Sequence, residues 1–157
     1  MRATRSCLYL AALLVALCPP RAAQAALGGA ATQATDQTSA PGARLKFAVR
    51  QGTSASWRVQ DVTLDSGTVV HEYIATATGK VFAVSWSGRS LPDLEQFLGD
   101  YYSRYRGAAR TPAIRHRLVR LQDGDLVIQS AGHARRFEGH AFLPGQLPSG
   151  FTADDIS

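Results

Sequence analysis

From Trp57 onward, β-branched and aromatic residues gather into runs separated by short polar turns. Residues Trp57 to Leu64, Thr68 to Ala75 and Lys80 to Trp86 are such runs, broken at Asp65-Ser66-Gly67 and Thr78-Gly79. They predict a three-stranded meander. The first turn accommodates two or three residues, which leaves the register of that hairpin open. In the third strand, Phe82, Val84 and Trp86 alternate onto one face.

The period then changes. Leu91, Leu94, Leu98, Tyr101 and Tyr105 recur at three and four residues, with Phe97 and Tyr102 on the shoulders of the stripe, which predicts an amphipathic helix. Ser90 is the expected N-cap, with Asp93 completing a capping box and Pro92 in the first turn. Arg104 and Arg106 suit the last turn, and Gly107 the end.

A second meander follows. Asp123-Gly124 is a two-residue hairpin signal that pairs Leu121 with Leu126 and Val119 with Ile128. A turn at Gly132-His133 would pair Ile128 with Phe137. Val119, Leu121, Leu126, Ile128 and Phe137 then share an apolar face, while Arg120, Gln129, Arg136, Glu138 and His140 share a polar one, with Val127 as its apolar exception. The expected fold class is α+β: an antiparallel sheet of two three-stranded meanders with one helix between them, packed on one face.

The N-terminus has another logic. Arg2 and Arg5 precede an apolar run from Cys7 to Cys18, and Ala23-Gln24-Ala25 supplies a small-x-small site, so residues 1–25 read as a secretory signal peptide. The run falls short of the roughly 20 residues of a membrane span, and no transmembrane helix is expected after cleavage. Residues 28–43 lack aromatic and branched aliphatic side chains, and residues 26–43 read as a flexible tether. Residues 44–157 are then left as one small domain.

Cleavage alters the available chemistry. Cys7 and Cys18 leave with the signal, so a chain starting at Ala26 has no thiol for disulfides, nucleophiles or metals. Losing Arg2, Arg5 and Arg21 leaves fourteen basic against twelve acidic residues, a net of +2 instead of +5. A nucleic-acid partner is not expected: Arg115, Arg117, Arg120, Arg135 and Arg136 make the second meander basic without interleaved exposed aromatics.

Catalytic and metal motifs are sparse. His71-Glu72 begins an H-E-x-x-H pattern, but Ala occupies position 75 and the segment alternates as a strand. His133 and His140 have no third ligand nearby in sequence. No metal and no cofactor is expected. A three-residue first turn would set Asp61 opposite His71, with Ser85 or Ser87 supplying a hydroxyl; no G-x-S-x-G elbow accompanies them. Trp86, Tyr101, Tyr102 and Tyr105 are the candidate binding residues, as aromatics whose polar tips suit a groove rim. Their plainer role is core.

ALGG, DSGTVVHEY, GKVFAVSWSG with LPDLEQFLGDYY, GDLVIQSAGH, FEGHAFLP and LPSGFTADDI occur in this order. The combination resembles the bacterial exported proteins grouped as domain of unknown function 2844. Arg89 stands where the pattern suggests Pro, and Ala131, Ala134 and Arg135 occupy a turn richer in Gly in the pattern. The resemblance implies export and a domain boundary, and it brings no catalytic residue. The expected function is a non-enzymatic exported accessory or binding protein, periplasmic or secreted, with an envelope or surface partner. The alternative is a small hydrolase built on Asp61, His71 and a serine.

Overall fold

A computed structural model describes residues 26–32, 46–51, 55–110 and 118–156. The expected signal peptide, residues 33–43 of the expected tether, and Arg115 and Arg117 lie outside the described residues. Among the described residues, seven strands form one antiparallel sheet: β1 (Lys46–Gln51), β2 (Trp57–Thr63), β3 (Val69–Ala75), β4 (Val81–Gly88), β5 (Leu118–Asp123), β6 (Leu126–His133) and β7 (Arg136–Phe142). Their order is β1-β2-β3-β4-β7-β6-β5, so the two meanders join where β4 pairs with β7. The α+β class is as expected, with β1 added to the first meander.

Turn chemistry sets the registers. Asp65, Ser66 and Gly67 form a three-residue turn closed by the Leu64 N–H donating to the Thr68 carbonyl at 2.9 Å, with Gly67 at φ +77°. That choice places Asp61 opposite His71. In the second meander the loop is Gly124-Asp125, one residue later than expected, because Gly124 at φ +56° takes the first loop position, as a type II′ turn requires. Leu121 therefore pairs with Ile128, and Ile128 with Ala141 instead of Phe137. Both corrections shift the register by an even number of residues, which preserves the faces. The last turn is Ala134-Arg135, and both residues have positive φ, 32° and 68°.

Between β3 and β4 the register slips. Tyr73 pairs with Ala83 but Ile74 with Val81, which leaves Phe82 as the extra residue of a bulge. Phe82 consequently does not share a face with Val84 and Trp86, as simple alternation predicted. Val84 and Trp86 join Val62, Val70, Ile128 and Leu98 in the core beneath the helix. Phe82 joins Tyr73, Phe142 and Phe151 in a second cluster on the opposite face.

The helix differs from its expected form at both ends. Its N-cap is Asp93, whose carboxylate accepts from the Glu95 N–H at 3.0 Å. Leu91 precedes Pro92 and is driven out of the α region, so α1 (Leu94–Leu98) starts after the proline and Leu91 is 43% exposed. Ser90 instead receives the Thr68 hydroxyl on its carbonyl at 2.8 Å. Gly99 at φ +53° interrupts the helix, which resumes after one 3₁₀ turn as α2 (Tyr102–Ala109), running past Gly107. A Cβ on Gly99 would lie 2.5 Å from that of Ala26. Glycine is needed there because the N-terminal segment crosses at that point.

That crossing corrects the expected tether over residues 26–32. Leu27, Ala31 and Thr32 are buried. The Gly28 N–H donates to the Val81 carbonyl at 2.7 Å, and the Val81 N–H returns to Gly29 at 2.9 Å. Further on, Thr32 donates its N–H and hydroxyl to the two Glu72 oxygens at 3.1 and 2.5 Å, while Gln60 donates to the Thr32 carbonyl at 2.7 Å. Backbone bonds and one polar clamp hold this strap, together with a single large apolar side chain.

Two outcomes follow from these features. Leu27→Ala should cost roughly 2–5 kcal/mol in urea unfolding, whereas a free tether would show less than about 0.5 kcal/mol. Ala134→Asn combined with Arg135→Gly should raise stability by about 1 kcal/mol in the same assay, by relieving two left-handed non-glycine residues.

Candidate functional site

The registers place one residue from each strand in a line across the sheet: Ala48, Asp61, His71, Ser85, His140, Gln129 and Arg120, in spatial order. This row lies on the face opposite the helix. Part of that face is covered by the C-terminal segment. Phe151 anchors it by packing edge-on against Phe82 at 4.7 Å and Trp57 at 5.1 Å between ring centres. Thr152 then caps a 3₁₀ turn, its N–H and hydroxyl donating to Asp155 at 2.7 and 2.9 Å. Ile156 emerges as a wall. Between Ile156 and Leu118 is a depression of about 340 Å³ whose floor includes His71, Ser85, Gln129 and His140.

Within it, His71 Nδ1 is 2.6 Å from an Asp61 carboxylate oxygen, and the two side chains are only 18% and 16% exposed. The carboxylate fixes the ring and commits Nδ1, leaving Nε2 as the nitrogen available to a ligand. His140 is half-buried beside Phe142, their ring centres 6.1 Å apart. Burial lowers its pKa below the ordinary imidazole value, because desolvation disfavours the charged form.

The structure thus brings together Asp61, His71 and, of the two expected serines, Ser85. Ser87 lines the same depression but pairs with Val69 and Glu138, away from His71. Ser85 is 5% exposed on a strand paired along both edges. Its backbone N–H belongs to a ladder, so it cannot point at a developing oxyanion in the way acyl transfer requires. The arrangement is suited to holding hydrogen-bonding groups.

Of the aromatic candidates, Trp86 is among the residues lining the depression, and Tyr101, Tyr102 and Tyr105 are not. Trp86 is 2% exposed in the helix-side core, where its Nε1 has no hydrogen-bond partner among the described residues. Tyr102 and Tyr105 stack at 6.2 Å and pack on that core. Tyr101 donates to Asp125 at 3.3 Å and lies under the Arg104 guanidinium. Arg104 in turn binds Asp123 and Asp125, each at 2.8 Å. These pairs raise the Arg104 pKa and lower that of Asp125, while burial above all raises that of Tyr101. The cluster ties α2 to the β5–β6 turn, and the three tyrosines are not among the residues that line the depression.

Gln129 and His140 belong to the polar face expected of the second meander, and nothing in the sequence marks them as site residues. Only the completed strand order shows them continuing the Asp61–His71 row. His133 is exposed at the last turn, apart from His140. Among the described residues, no group of three or more His, Cys, Asp and Glu is placed to hold a metal, and no helix is long and apolar enough to cross a membrane.

A model of the family described as protein of unknown function (DUF2844) matches residues 23–156, so the chain belongs to that family. The match includes the strap. No curated protein and no solved structure matches the chain.

The depressed His140 pKa carries a pH dependence. The unfolded state binds this proton more tightly, so stability is present above the unfolded pKa near 6.5 and is lost as pH falls through the folded value. Comparing urea midpoints at pH 5 and 7.5, His140→Gln should lose less stability on acidification than the wild type does. An equal loss in both proteins would show that His140 is not the group responsible.

Proposed function

We propose that this family member is a non-enzymatic accessory or binding protein, exported to the periplasm or cell exterior, and that its ligand seats in the depression on the helix-free face. The observation that carries this is the convergence of His71, Ser85, His140 and Gln129 from four adjacent strands between two apolar walls. Small-molecule sites have this composition: apolar sides with a few positioned polar groups. Export is supported by the charged n-region, the apolar run and the Ala23-Gln24-Ala25 site.

A second reading, a small hydrolase, is favoured by one observation: the 2.6 Å Asp61–His71 bond with Ser85 next in the row. It needs an oxyanion site that a doubly paired strand does not offer.

Ser85→Ala separates the two. Removing one hydroxyl from a binding site should weaken capture of the native partner by no more than about tenfold, the cost of one hydrogen bond, and leave biological activity measurable. Crosslinking in the native host with wild type and variant checks this. Abolished activity with fold and capture intact would select the hydrolase.

A further inference from the structure

We infer that the depression takes a small neutral polyhydroxyl ligand, a single sugar ring, whether as a free saccharide or as the terminal residue of a longer glycan. This rests on reading the depression as a binding site, and it adds the ligand's chemistry.

Charge is the first argument. No Lys or Arg lines the depression among the described residues. The carboxylates near it are Asp61, which holds His71, and Glu138 at the rim, which accepts from Arg136 Nε at 3.2 Å. Arg120, beside Gln129 in the row, and Arg136, paired with Glu138, share this face, but neither lines the depression, so an entering anion would meet no cation inside it. An entering cation would find both carboxylates already partnered, and no aromatic box to replace its hydration.

Hydrogen-bonding capacity is the second. A neutral imidazole presents one donor and one acceptor, an amide two donors and an acceptor, and a hydroxyl both. With Nδ1 of His71 turned to Asp61, its Nε2 faces a ligand as an acceptor in the neutral ring. His140 and Gln129 occupy the next strands of the same row. Such a mixed set fits neighbouring hydroxyls, each of which donates and accepts. It fits carboxylate, which only accepts, and phosphate, which mainly accepts, less well.

Shape is the third. A volume of about 340 Å³ lies at the small end of ligand sites and suits one ring better than a buried chain. Leu118 and Ile156 offer apolar surface to the C–H face of that ring.

The test is an NMR titration of the purified protein, following the His71 and His140 ring signals and the Gln129 side-chain amide. The probes are methyl glycosides of neutral hexoses and N-acetylhexosamines, neutral oligosaccharides ending in the same residues, phosphate and citrate, and spermidine. Saturable shifts with a neutral saccharide are expected, weakened at least about tenfold in Gln129→Ala, an exposed position where the fold should tolerate the change. Tighter binding of the oligosaccharide than of its glycoside would identify a glycan end as the source, and equal binding a free sugar. Shifts with phosphate, citrate or spermidine alone would overturn the sugar while leaving the site. No saturable shift with any probe would also overturn it, and the Ser85→Ala capture experiment would then judge the site separately.

Discussion

The bulge at Phe82 is the constraint on which the rest of this molecule depends. An uninterrupted β4 would send Phe82, Val84 and Trp86 to the same side. The extra residue turns Phe82 over, and the sheet acquires a packed cluster on each face. Phe82 then gives Phe151 a ring to pack against, which fixes the C-terminal segment and sets Ile156 at the edge of the depression. The site is the part of that face which the aromatic cluster leaves uncovered. Bulges commonly re-aim side chains next to functional sites, and here one residue separates a covered half from an open half.

On the opposite face the helix covers an apolar core, and polar chemistry closes the part under the strap. Glu72 is 1% exposed and pairs with Val84, one step along β3 from His71. Burial pushes its carboxyl above the ordinary range, against the opposing effect of the Thr32 hydrogen bonds. A raised carboxyl pKa means the native state holds this proton more tightly than the unfolded chain. The associated stability is present below the unfolded pKa and is lost as pH rises through the folded one. Near neutrality the clamp therefore works against desolvation, which accounts for donors arriving from both Thr32 and Gln60. Adjacent rows of one sheet thus serve different ends: Gln60 and Glu72 lock the strap on one side, while Asp61 and His71 begin the candidate site on the other.

What the sequence showed follows from these physics. Strand faces were legible because side-chain direction has a period of two, so even register errors at Leu121 and Ile128 left each residue on its proper side. The Asp61–His71 pair was legible as one consequence of a three-residue turn. Phe82 was not, since a bulge leaves no mark in a run of apolar residues. The N-cap was misplaced because Leu91 fits the helical stripe by hydropathy while Pro92 excludes it by sterics. The strap was missed because backbone bonds to Val81 and a Thr–Glu contact across 40 residues carry no hydrophobic signature. Half the site was visible as polar positions, but its wall, Ile156, belongs to a segment placed by distant aromatic packing.

Cross-strand nuclear Overhauser contacts test the central claim most directly, that one bulge sets both the covered and the open half of the site face. The account predicts backbone contacts from Ser85 to both His71 and His140, together with contacts from the Phe82 ring to Phe151 and Tyr73. Contacts from the Phe82 ring to Leu98 and the helix-side core, with Ser85 opposite a neighbour of His71 instead of His71 itself, would contradict it.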